Sequence, residues 1–215
     1  QRARFLATAQ SKDALLTSYS HPLSGPQGED LYTDVVRVGP VDASRLMLVV
    51  SGTHGVEGYY GSDCQIAWLD TLDEKALPAD TAVLLIHQLN PWGAAHLRRV
   101  YEDNIDLNRN FIDFSQPLPA NPDYANWHGI YHGDRNSADR QLAEALERVG
   151  WQAVKRVVEA GQYTTAEGVF FGGQQPSWSH QTMATIIDQH LQAAKTIISF
   201  DLHTGAGAWG HPMLL

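Results

Sequence analysis

The sequence contains a single cysteine, Cys64, among its 215 residues. One thiol cannot form an intrachain disulfide or a cysteine-ligated zinc cluster, because both need several sulfur atoms. Long apolar runs are also missing, since no uninterrupted stretch approaches the roughly 20 residues that cross a bilayer. We therefore predict no contact with a membrane, and we expect a cytoplasmic protein.

Positive charge is scarce as well. The chain has 15 Lys and Arg against 24 Asp and Glu, a formal net charge of −9. Nucleic-acid binding needs clustered basic residues, whereas the pair Arg98-Arg99 is followed closely by Glu102 and Asp103. We therefore predict no nucleic-acid partner. A hydrophobic fraction of 43% is typical of a globular protein, and the length suffices for one α/β domain with a substantial core.

Short apolar segments alternate with helical patterns along the chain. The apolar segments predict strands at residues 31–38, 46–50, 82–87 and 196–200. Helical spacing predicts helices at residues 2–19, 61–69, 137–158 and 181–194, and residues 111–134 are predicted to be irregular. This order predicts an α/β fold with a mostly parallel, twisted sheet and helices on both faces.

Glycine-bearing polar segments follow three of the predicted strands. In open α/β sheets, ligands bind at the carboxyl ends of strands. His54 and Glu57 lie three residues apart after one strand, and His203 follows another. Two imidazoles and one carboxylate suit Zn²⁺ and leave a fourth position for water. We predict one zinc ion held by these residues, the alternative for His54 being a hydrogen-bonded loop histidine. His87 is interpreted as a buried strand histidine.

Three motifs stand out in the sequence: Ser-Gly-Thr-His-Gly-Val-Glu-Gly (51–58), Asp-Leu-Asn-Arg-Asn-Phe (106–111) and Asp-Leu-His-Thr-Gly (201–205). Together they resemble the M14 zinc carboxypeptidase superfamily. The stretch 90–111, together with Gly-Gln-Tyr (161–163) and Phe-Gly-Gly (171–173), is similar to a bacterial branch labelled DUF2817. The resemblance implies a zinc carboxypeptidase fold (phosphorylase/hydrolase-like) in one catalytic domain over residues 1–215.

The resemblance also implies roles for individual residues. His54, Glu57 and His203 match the zinc ligands, and Asn108 with Arg109 matches the pair that binds the substrate's terminal carboxylate. A guanidinium can pair with a carboxylate through two parallel hydrogen bonds. Arg99 matches the arginine that stabilises the oxyanion, and Asp106 matches a carboxylate that orients the first zinc-binding histidine, here His54.

Several of these assignments have alternatives. Arg109 could form a surface ion pair, which would contribute little stability, and Asp106 could cap a helix or turn. Physics alone does not separate Arg98 from Arg99. Asp201 could orient His203 or cap the strand end.

The predicted function is a zinc-dependent hydrolase that cleaves an amide bond next to a free carboxylate, with a small peptide as substrate. One alternative is a deacylase acting on an N-acyl amino acid, as in the aspartoacylase-like branch, and another is a non-catalytic, zinc-stabilised binding module. Relatives carry a glutamate general base on a later strand, so we expect the domain to continue beyond Leu215. A Rossmann-type nucleotide site is not predicted, because no Gly-x-Gly-x-x-Gly follows a strand.

Overall fold

A computed structural model describes residues 1–12, 14–132, 134–211 and 213–214. The chain divides into two compact units, a sheet unit (residues 1–101 and 181–215) and a helical unit (residues 102–180). In chain order the elements are α1 (Arg2–Gln10), β1 (Ala14–Ser24), β2 (Asp30–Val38), β3 (Arg45–Ser51), α2 (Gly58–Thr71), β4 (Thr81–His87), α3 (Pro91–Ala95), α4 (Leu107–Asn110), α5 (Ala125–His132), α6 (Arg135–Val149), α7 (Trp151–Glu159), α8 (Trp178–His190) and β5 (Thr196–Leu202), with short 3-10 helices at Glu74–Ala76 and Pro122–Tyr124.

The sheet unit contains a five-stranded mixed sheet in the order β1-β2-β4-β3-β5. β3 runs parallel to both of its neighbours, with Val49 opposite Leu85 on β4 and Phe200 on β5. β1 and β2 extend the sheet on the other side as antiparallel strands. The predicted α/β class is confirmed. The parallel part is limited to three strands, because the two strands nearest the amino terminus form a hairpin that needs no crossover helix.

The amino-terminal segment differs from its prediction. A single helix over residues 2–19 was wrong, since α1 ends at Gln10 and β1 starts at Ala14. The leucines that suggested a helical stripe, Leu15 and Leu16, are both exposed on β1. Pairing of this segment with β2, for example Thr17 opposite Val35, satisfies its backbone groups and decides its conformation.

Helices cover both faces of the sheet, as predicted. On one face, Phe5 of α1 and Ile66 and Leu69 of α2 pack in one core cluster with Val36 and Leu85 of the sheet. Side chains alternate between the faces of a strand, so Arg37 points to the opposite face. There its Nη1 donates to the carbonyl of His190 at the end of α8, at 2.8 Å.

The helical unit has its own apolar core, formed by residues of α5, α6 and α7: Trp127, Ile130, Ala145, Val154 and Val158. The single helix predicted over residues 137–158 is two helices, α6 and α7. They separate at Gly150, whose φ of 78° and ψ of 158° lie outside the helical region and suit glycine. The predicted irregular stretch 111–134 contains α5.

β5 is an edge strand with most of its residues exposed, and within the described part of the chain no strand pairs with its outer edge. None of the described helices is both long enough and apolar enough to cross a membrane.

Candidate metal centre

The two segments that carry the predicted metal ligands end at the same edge of the sheet. β3 and β5 are parallel neighbours, with Val50 opposite Asp201 and Ser51 opposite Leu202. Their carboxyl ends therefore coincide, and the turns that follow them lie side by side. This register brings residues about 150 positions apart in the chain together at one site.

The turn after β3 is held tightly by glycines. A side chain at Gly55 would overlap the backbone of Gly93 and Ala94, so only glycine allows this close approach. The amides of Gly55 and Val56 donate to the carbonyls of Arg99 and Arg98, at 3.2 and 3.1 Å. These contacts fix the backbone that presents the first predicted ligand.

His54 lies in this turn, and its residue is only 3% exposed. Its carbonyl accepts from the amides of Glu57 and Gly58, at 3.1 and 3.2 Å, which closes the turn at the start of α2. Glu57 stands at the N-cap position of α2. The three-residue spacing thus places the imidazole and the carboxylate beside each other.

The ligand atoms of His54, Glu57 and His203 all lie within 4.8 Å of one another. His54 Nδ1 lies 2.9 Å from Glu57 Oε1 and 3.2 Å from His203 Nδ1. His203 Nδ1 lies 3.3 Å from Glu57 Oε2. The structure therefore brings the three predicted ligands together from two separate strand ends.

These separations fit a zinc ion. Zinc bonds to nitrogen and oxygen are about 2.0–2.1 Å long in a tetrahedral site, which puts neighbouring ligand atoms about 3.3 Å apart. Two imidazole nitrogens that face each other at 3.2 Å cannot both present lone pairs, because these repel unless a proton or cation lies between them. The donor set of two imidazoles and one carboxylate is one that zinc prefers.

Asp201 contacts the ring of His203. This contact supports the first of the two roles considered for Asp201, orientation of His203. His203 Nε2 lies 2.8 Å from Asp201 Oδ2. An ionised carboxylate only accepts hydrogen bonds, so Nε2–H is the donor. In the neutral ring this tautomer leaves the lone pair on Nδ1, the nitrogen that faces His54 and Glu57.

Glu57 is held as a carboxylate. Burial acts to raise its pKa, but hydrogen bonds with His203 and His54, and from the backbone of Thr204, hold the pKa far below its usual value. The amide of Thr204 donates to Oε2 at 2.7 Å. The group is therefore ionised at neutral pH and available to a cation.

Two carboxylates, those of Asp201 and Glu57, surround His203 with negative electrostatic potential. Its hydrogen bonds with Asp201 and Glu57 outweigh partial burial and raise its pKa to about 9. Two carboxylates therefore attract positive charge to this end of the sheet.

Arg99 reaches the same site. Its Nη1 donates to Glu57 Oε1 at 3.3 Å, and its side chain is 42% exposed. The sequence could not distinguish Arg98 from Arg99 on physical grounds, whereas the structure shows the Arg99 guanidinium against a predicted ligand.

The other predicted site residues lie in the helical unit, on and before α4. Asp106 is buried and is the N-cap of α4, where its Oδ1 accepts from the amide of Asn108 at 2.9 Å, the capping role given above as an alternative. Arg109 donates to the carbonyl of Glu159 at 2.6 Å and lies over the ring of Phe170. Asn108 is exposed. Binding of substrate by Asn108 and Arg109, and orientation of His54 by Asp106, stay predictions.

Thr53 is a residue of the site that the sequence did not reveal. Its hydroxyl donates to Asp201, whose two carboxylate oxygens both lie 2.9 Å away. Its position next to His54 was the only available signal. The partner is 148 residues away, so no local pattern could have found the contact.

The family model described as "Protein of unknown function (DUF2817)" matches residues 1–215. The chain belongs to the DUF2817 family. This result confirms the resemblance that the motifs around His54, Asn108 and His203 suggested. A comparison with curated protein sequences found no match.

Solved structures with low identity are also similar to the chain. Bovine thrombin-activatable fibrinolysis inhibitor, in complex with tick carboxypeptidase inhibitor, matches 92% of this chain and 57% of its own at 14% identity and a TM-score of 0.48. A metallo-carboxypeptidase from Pseudomonas aeruginosa, in complex with (2-guanidinoethylmercapto)succinic acid, matches 94% of this chain and 59% of its own at 17% identity and a TM-score of 0.40.

An aspartoacylase family protein from Mesorhizobium loti matches 48% of this chain and 32% of its own, at 20% identity and a TM-score of 0.33. The chain thus spans less than two thirds of the length of each of these solved structures.

Proposed function

We propose that this DUF2817 chain forms the metal-binding core of a zinc-dependent hydrolase that cleaves an amide bond next to a free carboxylate. The observation that carries the proposal is the convergence of the ligand atoms of His54, Glu57 and His203 within 4.8 Å. Three protein ligands leave a fourth position open, which is typical of catalytic rather than structural zinc sites.

A bound zinc ion supplies two kinds of chemistry, because it lowers the pKa of a coordinated water to about 7 and polarises a carbonyl group. The protein's part is to bring three ligand atoms together at one site. Glu57 is ionised. Asp201 accepts the Nε2–H of His203 and so directs the Nδ1 lone pair of that ring toward the site.

Arg99 is proposed to stabilise the oxyanion that forms when the amide carbonyl is attacked. Its guanidinium lies at the edge of the site against Glu57, and the side chain is partly exposed, so substrate can reach it. A charged donor that is in place before the reaction stabilises the developing negative charge at little cost in reorganisation.

Asn108 and Arg109 are proposed to bind the free carboxylate of the substrate, and Asp106 to orient His54. The fixed geometry of a guanidinium suits a carboxylate. Packing of Arg109 over Phe170 and its contact with the Glu159 carbonyl support this role, because they would hold the side chain in one orientation before substrate arrives.

Metal uptake is the first test. The full chain is treated with a chelator, resupplied with Zn²⁺ and analysed for bound metal. We expect one zinc per chain, and loss of that zinc in His54→Ala. His190→Ala, at the end of α8, is the matched control and should keep the metal. A wild-type chain that takes up no stoichiometric zinc would contradict the proposal.

The substrate class is tested with the zinc-loaded chain. Peptides with a free carboxyl terminus are compared with the same peptides amidated at that end and with N-acyl amino acids. We expect hydrolysis of the free peptides and little of the amidated ones. Hydrolysis of N-acyl amino acids alone would support a deacylase.

A further inference from the structure

Thr53 links the two strand ends that supply the predicted metal ligands. It directly precedes His54 in the turn after β3, and the residue is 3% exposed. Its hydroxyl hydrogen is shared between Oδ1 and Oδ2 of Asp201, both at 2.9 Å. Because threonine is branched at Cβ, its χ1 angle has few accessible values, so the hydroxyl is a fixed donor.

Asp201 needs such a donor to hold one orientation. Its side chain is 36% exposed, and an exposed contact between a carboxylate and a histidine contributes little by itself, since solvent screens it and both side chains lose freedom. The Thr53 hydroxyl belongs to a buried residue and contacts both oxygens of Asp201, which restrains the carboxylate plane. Asp201 can then hold His203 Nε2 at 2.8 Å.

We propose that Thr53 is a positioning residue that acts through Asp201 to orient His203 as a metal ligand. This inference rests on the proposed zinc site and deepens it. The backbone of residues 53 and 54 places one ligand directly, and the Thr53 hydroxyl places another ligand from a different strand. A single turn therefore controls the relative geometry of both imidazoles.

The expected effect is on metal affinity. Hydrogen-bond partners of metal-ligating histidines typically change affinity by about 10- to 100-fold when they are removed. Thr53 acts one contact further out, so we expect Thr53→Val to weaken zinc binding by about tenfold, near the lower end of that range. Thr53→Ser keeps the hydroxyl and should stay within about twofold of the wild type.

The experiment measures the zinc dissociation constant of the full chain by competition with a chromogenic chelator at one fixed pH. Four variants are compared: Thr53→Val, Thr53→Ser, Asp201→Ala and the double variant Thr53→Val with Asp201→Ala. If Thr53 acts through Asp201, Thr53→Val should add almost nothing once Asp201 is gone, because contacting residues are not additive. A merely structural role would weaken binding equally in both backgrounds.

The outcomes separate this inference from the zinc proposal. If wild-type chain binds no zinc, the proposed function fails first. If wild-type chain binds zinc and Thr53→Val binds it equally well, the positioning role is wrong while the zinc site stands. If Thr53→Val does not fold, Asp201→Ala provides the test. The inference requires that Asp201→Ala weaken zinc binding, because Thr53 is proposed to act through Asp201. An unchanged zinc affinity in Asp201→Ala would overturn the inference.

Discussion

Strands β4 and β5 are both seven residues long and rich in apolar residues, but they occupy opposite environments. β4 reads Thr-Ala-Val-Leu-Leu-Ile-His and is buried along almost its whole length, whereas β5 reads Thr-Ile-Ile-Ser-Phe-Asp-Leu and is exposed along most of it. β4 lies between two strands, while β5 has a strand on one side only among the described residues.

The same contrast separates the two predicted histidine ligands. His54 follows the interior strand β3 and is buried in a turn packed against glycines. His203 follows the edge strand, its side chain is 28% exposed, and polar contacts with Asp201 and Glu57 hold it. Packing positions one ligand and hydrogen bonds position the other, so different substitutions should disturb each of them.

The largest difference in the free energy of unfolding is expected between alanine substitutions at two isoleucines. Ile86 on β4 is 0% exposed and Ile198 on β5 is 55% exposed. Ile86→Ala should lower the free energy of unfolding by about 2–5 kcal/mol, because it removes buried surface and leaves a cavity. Ile198→Ala should cost less than about 1 kcal/mol. Urea unfolding of both variants measures the contrast, and equal losses would show that β5 is as well packed as β4.

Activity measurements should distinguish Arg99 from Arg98, the two arginines whose backbone carbonyls contact the turn after β3. Arg99→Met should lower kcat by about 100-fold or more, because it removes a donor to the oxyanion. Zinc affinity should change little. Arg98→Met is the matched control, since the backbone of Arg98 contacts the same turn while only the Arg99 guanidinium contacts Glu57. A larger loss in the Arg98 variant would reverse this assignment.

A substitution at Gly55 should destabilise the turn after β3, which carries His54. Gly55→Ala places a methyl group against the backbone of residues 93 and 94, and overpacking of this kind costs about 1–3 kcal/mol. Zinc affinity should fall with stability, because His54 is adjacent. A Cβ atom added to Gly129 on α5 would meet no other atom within 4 Å, so Gly129→Ala should be neutral or slightly stabilising. Thermal unfolding of the metal-free variants tests both.

The smallest expected effect is the pH dependence of the free energy of unfolding caused by His87 on β4. Burial lowers the pKa of His87 to about 4, below the unfolded value of about 6.5. The unfolded chain therefore binds more protons below pH 6.5, so the stability that neutral His87 contributes is complete above this pH and is lost as the pH falls toward 4. The loss is about 1.4 kcal/mol per pH unit.

The measurement is the free energy of unfolding of wild type and His87→Gln at pH 6.5 and pH 5.5. Wild type should lose about 1 kcal/mol more than the variant over this interval. Equal losses would mean that His87 is not responsible. His87 lies between Ser62, which it contacts at 2.9 Å, and the ring of Phe5, so protonation should also weaken the docking of α1.

Local patterns predicted the central strands well. The runs 46–50 and 82–87 fall inside β3 and β4, because a short, continuous apolar segment has few other ways to bury its side chains. The single helix predicted over residues 2–19 was wrong, because it continued past Gln10, where α1 ends. The exposed leucines of β1 resemble a helical stripe, and the pairing with β2 that decides the conformation of β1 is not local.

The sequence alone determined which chemistry the chain can offer. The spacing of His54 and Glu57, and the glycines around them, are local properties of one turn, and motif order predicted the family. Only the tertiary structure decided how those groups meet. The parallel register of β3 and β5 brings His203 to Glu57 and joins Thr53 to Asp201. Contacts between residues 148 positions apart depend on the path of the whole chain, so no pattern within one segment encodes them.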